Sequence, residues 1–283
     1  MGVVVVALGR TRPGKCEPMI CFTRARRNKP AQDEKYADRR IAAWLATNSD
    51  NGVTARIAGH TFLPSLLGPD SLVLDIGANQ GQFTRAIVRD FGCRVHAVEP
   101  NPYLCNGLQQ LAIPGVTVHV VALAGMRGPR PFLVMNNSEA SHFPNASASN
   151  EGSVQVQAVT LEDLISQMPA SASIDLVKMD IEGAELDVLE HVRAGFLERV
   201  RQLTIEFHQF AYPESRVRVE AIKKRFADLG FWVVDFSRTN YDVLFVHPAA
   251  GLNNRVRASV LFEKYHHRFK RGLSHWLGPR HRR

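Results

Sequence analysis

The chain has 283 residues, of which 45% are hydrophobic, enough to bury a core without disulfide or metal staples. The net charge of +8 belongs to the ends. Residues 1–40 hold 10 basic against 4 acidic residues and 255–283 hold 9 against 1, leaving an acidic middle of 16 against 22. A nucleic-acid partner is therefore not expected, because its basic patch would have to lie on a folded face.

No apolar stretch approaches the roughly 20 residues of a membrane span, and Val3–Leu8 has no basic segment before it, so neither a span nor a secretory signal is expected. Four cysteines (16, 21, 93 and 105) do not describe a disulfide framework, which points to a reducing, cytoplasmic setting. Residues 1–32 lack a sustained period and read as a poorly ordered basic segment. Helical spacing from Asp33 through Tyr36, Ile41 and Trp44 predicts a helical extension over 33–70.

From residue 71, short apolar runs alternate with helical segments across a domain reaching about residue 250, the pattern of βα units around a mainly parallel sheet. Strands are expected at Leu72–Ile76, Arg94–Val98, Val116–Val121, Ile174–Met179, Gln202–Phe207, Phe231–Phe236 and Asp242–Val246. Helices are expected at Gln82–Asp90, Pro102–Leu111, Glu185–His191 and Glu214–Leu229. Two further strand-like pieces, Pro131–Met135 and Ser153–Val159, flank a Ser/Asn/Ala-rich stretch and predict an inserted β-hairpin with a long exposed loop. Residues 251–283 form a basic amphipathic tail, with Ala258, Leu261, Phe262, Tyr265 and Phe269 at helical spacing. A helix packed on the domain is the expected arrangement; peripheral contact with an anionic membrane and docking of an anionic substrate are the alternatives. The oligomeric state is not legible.

Leu72-Val-Leu-Asp75-Ile-Gly77-Ala78-Asn79-Gln-Gly81 reads as a buried strand ending in an acid, followed by a glycine-bearing turn into a helix. A second strand ends at Val98-Glu99, where a carboxylate can accept both hydroxyls of a ribose. A dinucleotide fingerprint wants glycine where Asn79 stands, and no phosphate-cradling G-K-[ST] follows. An acidic, phosphate-free loop suits S-adenosyl-L-methionine; a plain strand-to-helix turn or a dinucleotide site are the other readings.

These segments, together with Val98-Glu99-Pro100-Asn101-Pro102, Val159-Thr160-Leu161-Glu162-Asp163-Leu164 and Lys178-Met179-Asp180-Ile181-Glu182-Gly183-Ala184-Glu185, resemble the FkbM family of methyltransferases over roughly residues 60–247. The resemblance implies an α/β fold, a Rossmann-like seven-stranded class I methyltransferase sheet, with S-adenosyl-L-methionine as methyl donor. It also implies O-methylation of a hydroxyl on a sugar or natural-product-type small molecule. The implied cofactor-binding residues are Asp75, Gly77, Ala78, Asn79, Gly81, Thr84, Glu99, Ala122, Leu123 and Asp180. N-methylation of an amine, or a non-catalytic protein binding a partner through its basic ends, are the alternative functions.

Asp180, with Glu182 and Glu185 behind it, ends one expected strand; Glu206 and His208 end the next. The catalytic set is taken as Asp180, Glu182, Glu206 and His208, with His208 a candidate general base. A structural role is the competing reading, since Asp180 could cap the following helix while Glu182 and Glu185 favour its N-terminus. Asp180, Glu206 and His208 could together hold a hard ion such as Mg²⁺, but no metal-specific spacing is present and no metal ligands are assigned. Removing Glu99 is expected to weaken cofactor binding and to leave the fold intact.

Overall fold

A computed structural model describes residues 53–133, 153–169, 172–210 and 213–276. A hairpin of β1 (Ala55–Ile57) and β2 (His60–Phe62) leads through a short 3₁₀ turn to β3 (Leu72–Ile76). Then follow α1 (Gln82–Phe91), β4 (Arg94–Val98), α2 (Pro102–Gln110) and β5 (Val116–His119). A small second sheet uses β6 (Ala122–Leu123), β7 (Gly128–Leu133) and β8 (Ser153–Val159). The chain continues through α3 (Leu161–Ser166), β9 (Leu176–Met179), α4 (Glu185–His191), α5 (Ala194–Leu197) and β10 (Gln202–Ile205). It closes with α6 (Arg216–Asp228), β11 (Trp232–Asp235), β12 (Val243–Val246) and α7 (Asn254–Trp276).

The main sheet has seven strands in the order β11-β12-β10-β9-β3-β4-β5. β12 runs antiparallel to both its neighbours; the other pairs are parallel. Every residue of β3 is buried, as an apolar run covered on both faces requires. One face packs on α3, α4 and α6 through Leu164, Leu189 and Phe226; the other receives Phe83, Ile87 and Phe91 of α1 together with Phe62 of the hairpin. Each such side chain contributes about 1.5–3 kcal/mol. Register aligns the strand ends, with Ile76 opposite both Val98 and Met179, and Met179 opposite Ile205. The residues just past these four strands therefore share one rim.

The seven expected strands are all present, and the chain belongs to the Rossmann-like class. Three expectations change. Residues 53–70 are not helical: they form the β1–β2 hairpin and the 3₁₀ turn, so the extension joins the core rather than standing apart. Gln202 fixes it from the sheet, accepting from Leu63 N at 2.8 Å, and Asp242 accepts from Thr61 N and Oγ1 at 3.0 and 2.6 Å. The helical spacing at 33–45 lies outside the described residues. The third strand ends at His119, because Ala122 and Leu123 leave the sheet edge to pair with β8. α3 was not anticipated, although Thr160 and Asp163 form a reciprocal capping box at its start.

The insertion is an antiparallel β7–β8 pair, as expected, with β7 beginning at Gly128; residues 134–152 lie outside the described ones. The described start of α7 packs on the sheet, burying Val260 against Leu63, Val234 and Leu244, while Glu263 accepts from Val53 N, Thr54 N and Thr54 Oγ1. Among the described residues no helix is long and apolar enough to cross a membrane.

Candidate active site

The β3–α1 loop uses its own amides. Gly77 N and Ala78 N donate to Val98 O at 2.9 and 3.0 Å, Asn79 N donates to Glu99 Oε2 at 2.9 Å, and Gly81 N donates to Ala78 O at 2.7 Å. These N–H groups are taken up within the loops and are not left as a nest for a diphosphate. Asn79 itself is left-handed at φ 49°, a conformation Asn tolerates better than most residues. At Gly77 (φ +78°) a Cβ would fall 1.7 Å from the carbonyl oxygen of Asp180, so β3 and β9 can approach this closely only with glycine there.

Glu99 is buried, and its two oxygens each take one backbone N–H, Asn101 on Oε1 at 2.9 Å and Asn79 on Oε2. Burial raises its pKa, and the two amide bonds partly offset this. The expectation that Glu99 could be removed without cost to the fold is corrected, because this carboxylate ties together the two loops above β3 and β4. Each oxygen keeps a lone pair for a hydroxyl.

Asp75 and Thr84 are also corrected as direct ligands. Both are fully buried under the loop, with Asp75 Oδ2 accepting from Thr84 N at 3.1 Å and from Thr84 Oγ1 at 2.6 Å. They anchor the start of α1. Ala78 packs against Ala97 and Leu108, and Gly81 faces Leu108, so these two shape the loop from below.

Above the rim lies a small, partly open cleft of about 60 Å³. Gly77, Asn79, Glu99, Ala122, Leu123, Asp180 and Glu182 line it, all of them expected at the site, joined by Phe132 from β7.

The β9 and β10 ends bring the expected catalytic residues together. His208 is buried with Nδ1 2.9 Å from Glu185 Oε1 and Nε2 3.2 Å from Glu182 Oε2, 3.6 Å from Asp180 Oδ1 and 3.6 Å from Glu206 Oε1. Burial by itself would lower the pKa of this imidazole, but its bonds to Glu182 and Glu185 push it up to about 11. His208 in this arrangement is a cation holding carboxylates, not a group free to take a proton, and its reading as a general base is corrected on that ground. Glu185 is structural as well, accepting from Ile181 N at 2.8 Å and Gly183 N at 3.0 Å. Glu182 sits at φ 54°, a left-handed residue beside the cleft.

Burial works against ionising Asp180, yet Lys178, then His60 and His208, hold its carboxyl well below the usual range. For Glu206, burial and then the Asp180 charge push the pKa up to about 8. Two adjacent carboxyls are thus driven apart, one ionised and one protonated near neutrality.

Three residues of this site were not anticipated in these roles. Lys178 opens the Lys178–Glu185 motif. It is buried within β9, donates from Nζ to Gly77 O at 2.6 Å, and lies 3.4 Å from Asp75 Oδ1 and 3.6 Å from Asp180 Oδ2. A lone cation inside an apolar strand was its visible signal. His60 Nε2 stands 3.6 Å from Asp180 Oδ2, and nothing local marks it. Tyr241 has its phenol pKa raised by burial and then by the charges of Glu206 and Asp180.

The fold and rim define a class I, Rossmann-like S-adenosylmethionine-dependent methyltransferase. The chain belongs to the FkbM methyltransferase family, whose domain (Methyltransferase FkbM domain) matches residues 75–233. No curated protein sequence matches it significantly. Among solved structures it is similar to the Methanococcus jannaschii fibrillarin pre-rRNA processing protein, with 15% identity, 63% of this chain and 66% of that chain covered, and a TM-score of 0.37. It is similar also to a TehB-like SAM-dependent methyltransferase from Corynebacterium glutamicum (15%, 77% and 100%, 0.36). Aeropyrum pernix fibrillarin with natively bound S-adenosyl-L-methionine gives 10%, 64%, 66% and 0.37 in the same order.

Proposed function

We propose that the protein transfers a methyl group from S-adenosyl-L-methionine to a hydroxyl of a sugar or natural-product-type small molecule. Asp180 carries this reading, because it both lines the cofactor cleft and belongs to the carboxylate and imidazole cluster beside it. With the ribose on Glu99 and the adenosine towards Ala122 and Leu123, the methyl group would face Asp180. An acceptor hydroxyl there would be oriented by an ionised carboxylate, with Glu206 next to it. Alignment of nucleophile, methyl and sulfur supplies much of the rate, and a positioned acid or base adds about 10²–10⁴-fold.

The ring of carboxylates supports a second reading, a cationic amine as acceptor. The two buried, unpaired thiols Cys93 and Cys105 support a cytoplasmic setting. The test offers labelled donor with panels of hydroxyl and amine acceptors to wild type and Asp180→Asn. Turnover on hydroxyl acceptors is expected, falling about 10²–10⁴-fold in the variant, with S-adenosylhomocysteine affinity changed only a few-fold. Methylation confined to amines, or full activity of Asp180→Asn, would overturn the reading.

A further inference from the structure

His60 is completely buried, and neither of its ring nitrogens has a hydrogen-bond partner. An imidazole in this position without a hydrogen bond forgoes what buried polar groups normally make. Its direction is fixed. Phe83 stands edge-on to it at 6.0 Å between ring centres, and the β1–β2 hairpin that carries it packs on β10 and β12. Nε2 points at Asp180, 3.6 Å from Oδ2, too far for a good hydrogen bond. One donor atom each from His60, Asp180 and Glu206 lies within 4.8 Å of the others.

Bonds of about 2.1 Å to a common ion place neighbouring donors roughly 3.0–3.4 Å apart, so these groups would close in on the ion from their present spacing of up to 4.8 Å. An imidazole with two ionised carboxylates balances a divalent cation, which would have to displace the proton of Glu206 with Lys178 beside Asp180 and His208 beside Glu206. The nitrogen donor favours first-row ions such as Mn²⁺, Fe²⁺ or Zn²⁺ over Mg²⁺ and Ca²⁺, which prefer oxygen. Asp180, Glu182 and His208 form a neighbouring set, but both nitrogens of His208 already face Glu185 and Glu182. The imidazole with no hydrogen bond is His60, which only approaches Asp180 Oδ2.

We infer that His60, Asp180 and Glu206 form a binding site for a first-row divalent metal ion, entered from the cleft. Asp180 is shared between the ion and the cleft, so the ion would sit on the methyl-acceptor side. That placement rests on the function proposed above, whereas the site itself does not.

The test uses full-length protein stripped with a chelator and titrated calorimetrically with MnCl₂ and, in parallel, MgCl₂, with no donor or acceptor present. The Mn²⁺ paramagnetic resonance signal gives an independent reading. One Mn²⁺ per chain is expected, bound at least about 10-fold more tightly than Mg²⁺. His60→Phe keeps a ring against Phe83 and should weaken Mn²⁺ by at least about 10-fold, with S-adenosylhomocysteine binding retained as a control for folding. Glu206→Gln should produce the same loss of Mn²⁺ without disturbing the hairpin. No Mn²⁺ uptake at millimolar concentration, unchanged affinity in both variants, or equal affinity for Mg²⁺ would overturn the site. Because no methyl donor enters the titration, its failure leaves the O-methylation reading standing.

Discussion

Glu99→Gln separates the two tasks of one carboxylate. In the wild type Oε1 receives Asn101 N and Oε2 receives Asn79 N, both at 2.9 Å. A glutamine amide has one oxygen, so its NH₂ must face one of these two N–H groups. That replaces a charge-assisted bond, worth about 1.5–3 kcal/mol, with two donors in opposition. Loss of about 2–3 kcal/mol is expected in the unliganded protein, or about 4–12 °C in Tm for a domain of this size. The ribose hydroxyls would lose a charged acceptor as well, a further 2–4 kcal/mol or so of binding. That corresponds to roughly 30–1,000-fold weaker affinity. Differential scanning fluorimetry reads the first effect, and calorimetric titration with S-adenosylhomocysteine reads the second. A lowered Tm with unchanged affinity would refute the ribose assignment. An unchanged Tm would refute the clamp.

Gly77→Ala should destabilise the protein by about 3 kcal/mol or more, combining a left-handed alanine with a Cβ driven against the backbone oxygen of Asp180; urea denaturation showing less than about 1 kcal/mol would contradict the close approach. Acid should weaken the fold through His119. Burial, and then His96 with its Nδ1 2.8 Å from His119 Nε2, lower the His119 pKa to about 4. Between that value and about 6.5 the unfolded chain binds more protons than the native one, so stability falls as pH falls. About 2 kcal/mol of the loss between pH 7 and pH 5 is assigned to this residue. His119→Gln should flatten the slope by that amount, and parallel pH profiles for the two proteins would remove His119 as its source.

The strands were legible because burial on both faces writes a continuous apolar run, and Leu72–Ile76 is such a run. The loop after it was legible through glycines and through Asn79, which stands where a dinucleotide fingerprint wants glycine. The roles of the acids within it were less so. Asp75 and Glu99 look alike in sequence, each an acid at a strand's carboxyl end. One is fully buried beneath α1, and the other opens onto the cleft. His208 could be counted as a base only while its neighbours were unknown; four carboxylates within 3.6 Å make it a cation.

The sequence by itself determined the alternation of strands and helices, the nucleoside-type loop and the placing of Asp180 and Glu206 at strand ends, since each follows from periodicity or from a short motif. Only the tertiary structure decided which groups meet. Register between β3, β9 and β10 put Gly77 against Asp180 and Lys178 beneath both. The docking of β1–β2, held by Gln202 and Asp242 more than a hundred residues away, brought His60 to the same rim. Contacts of that kind depend on how separate segments pack, and no local pattern of residues encodes them.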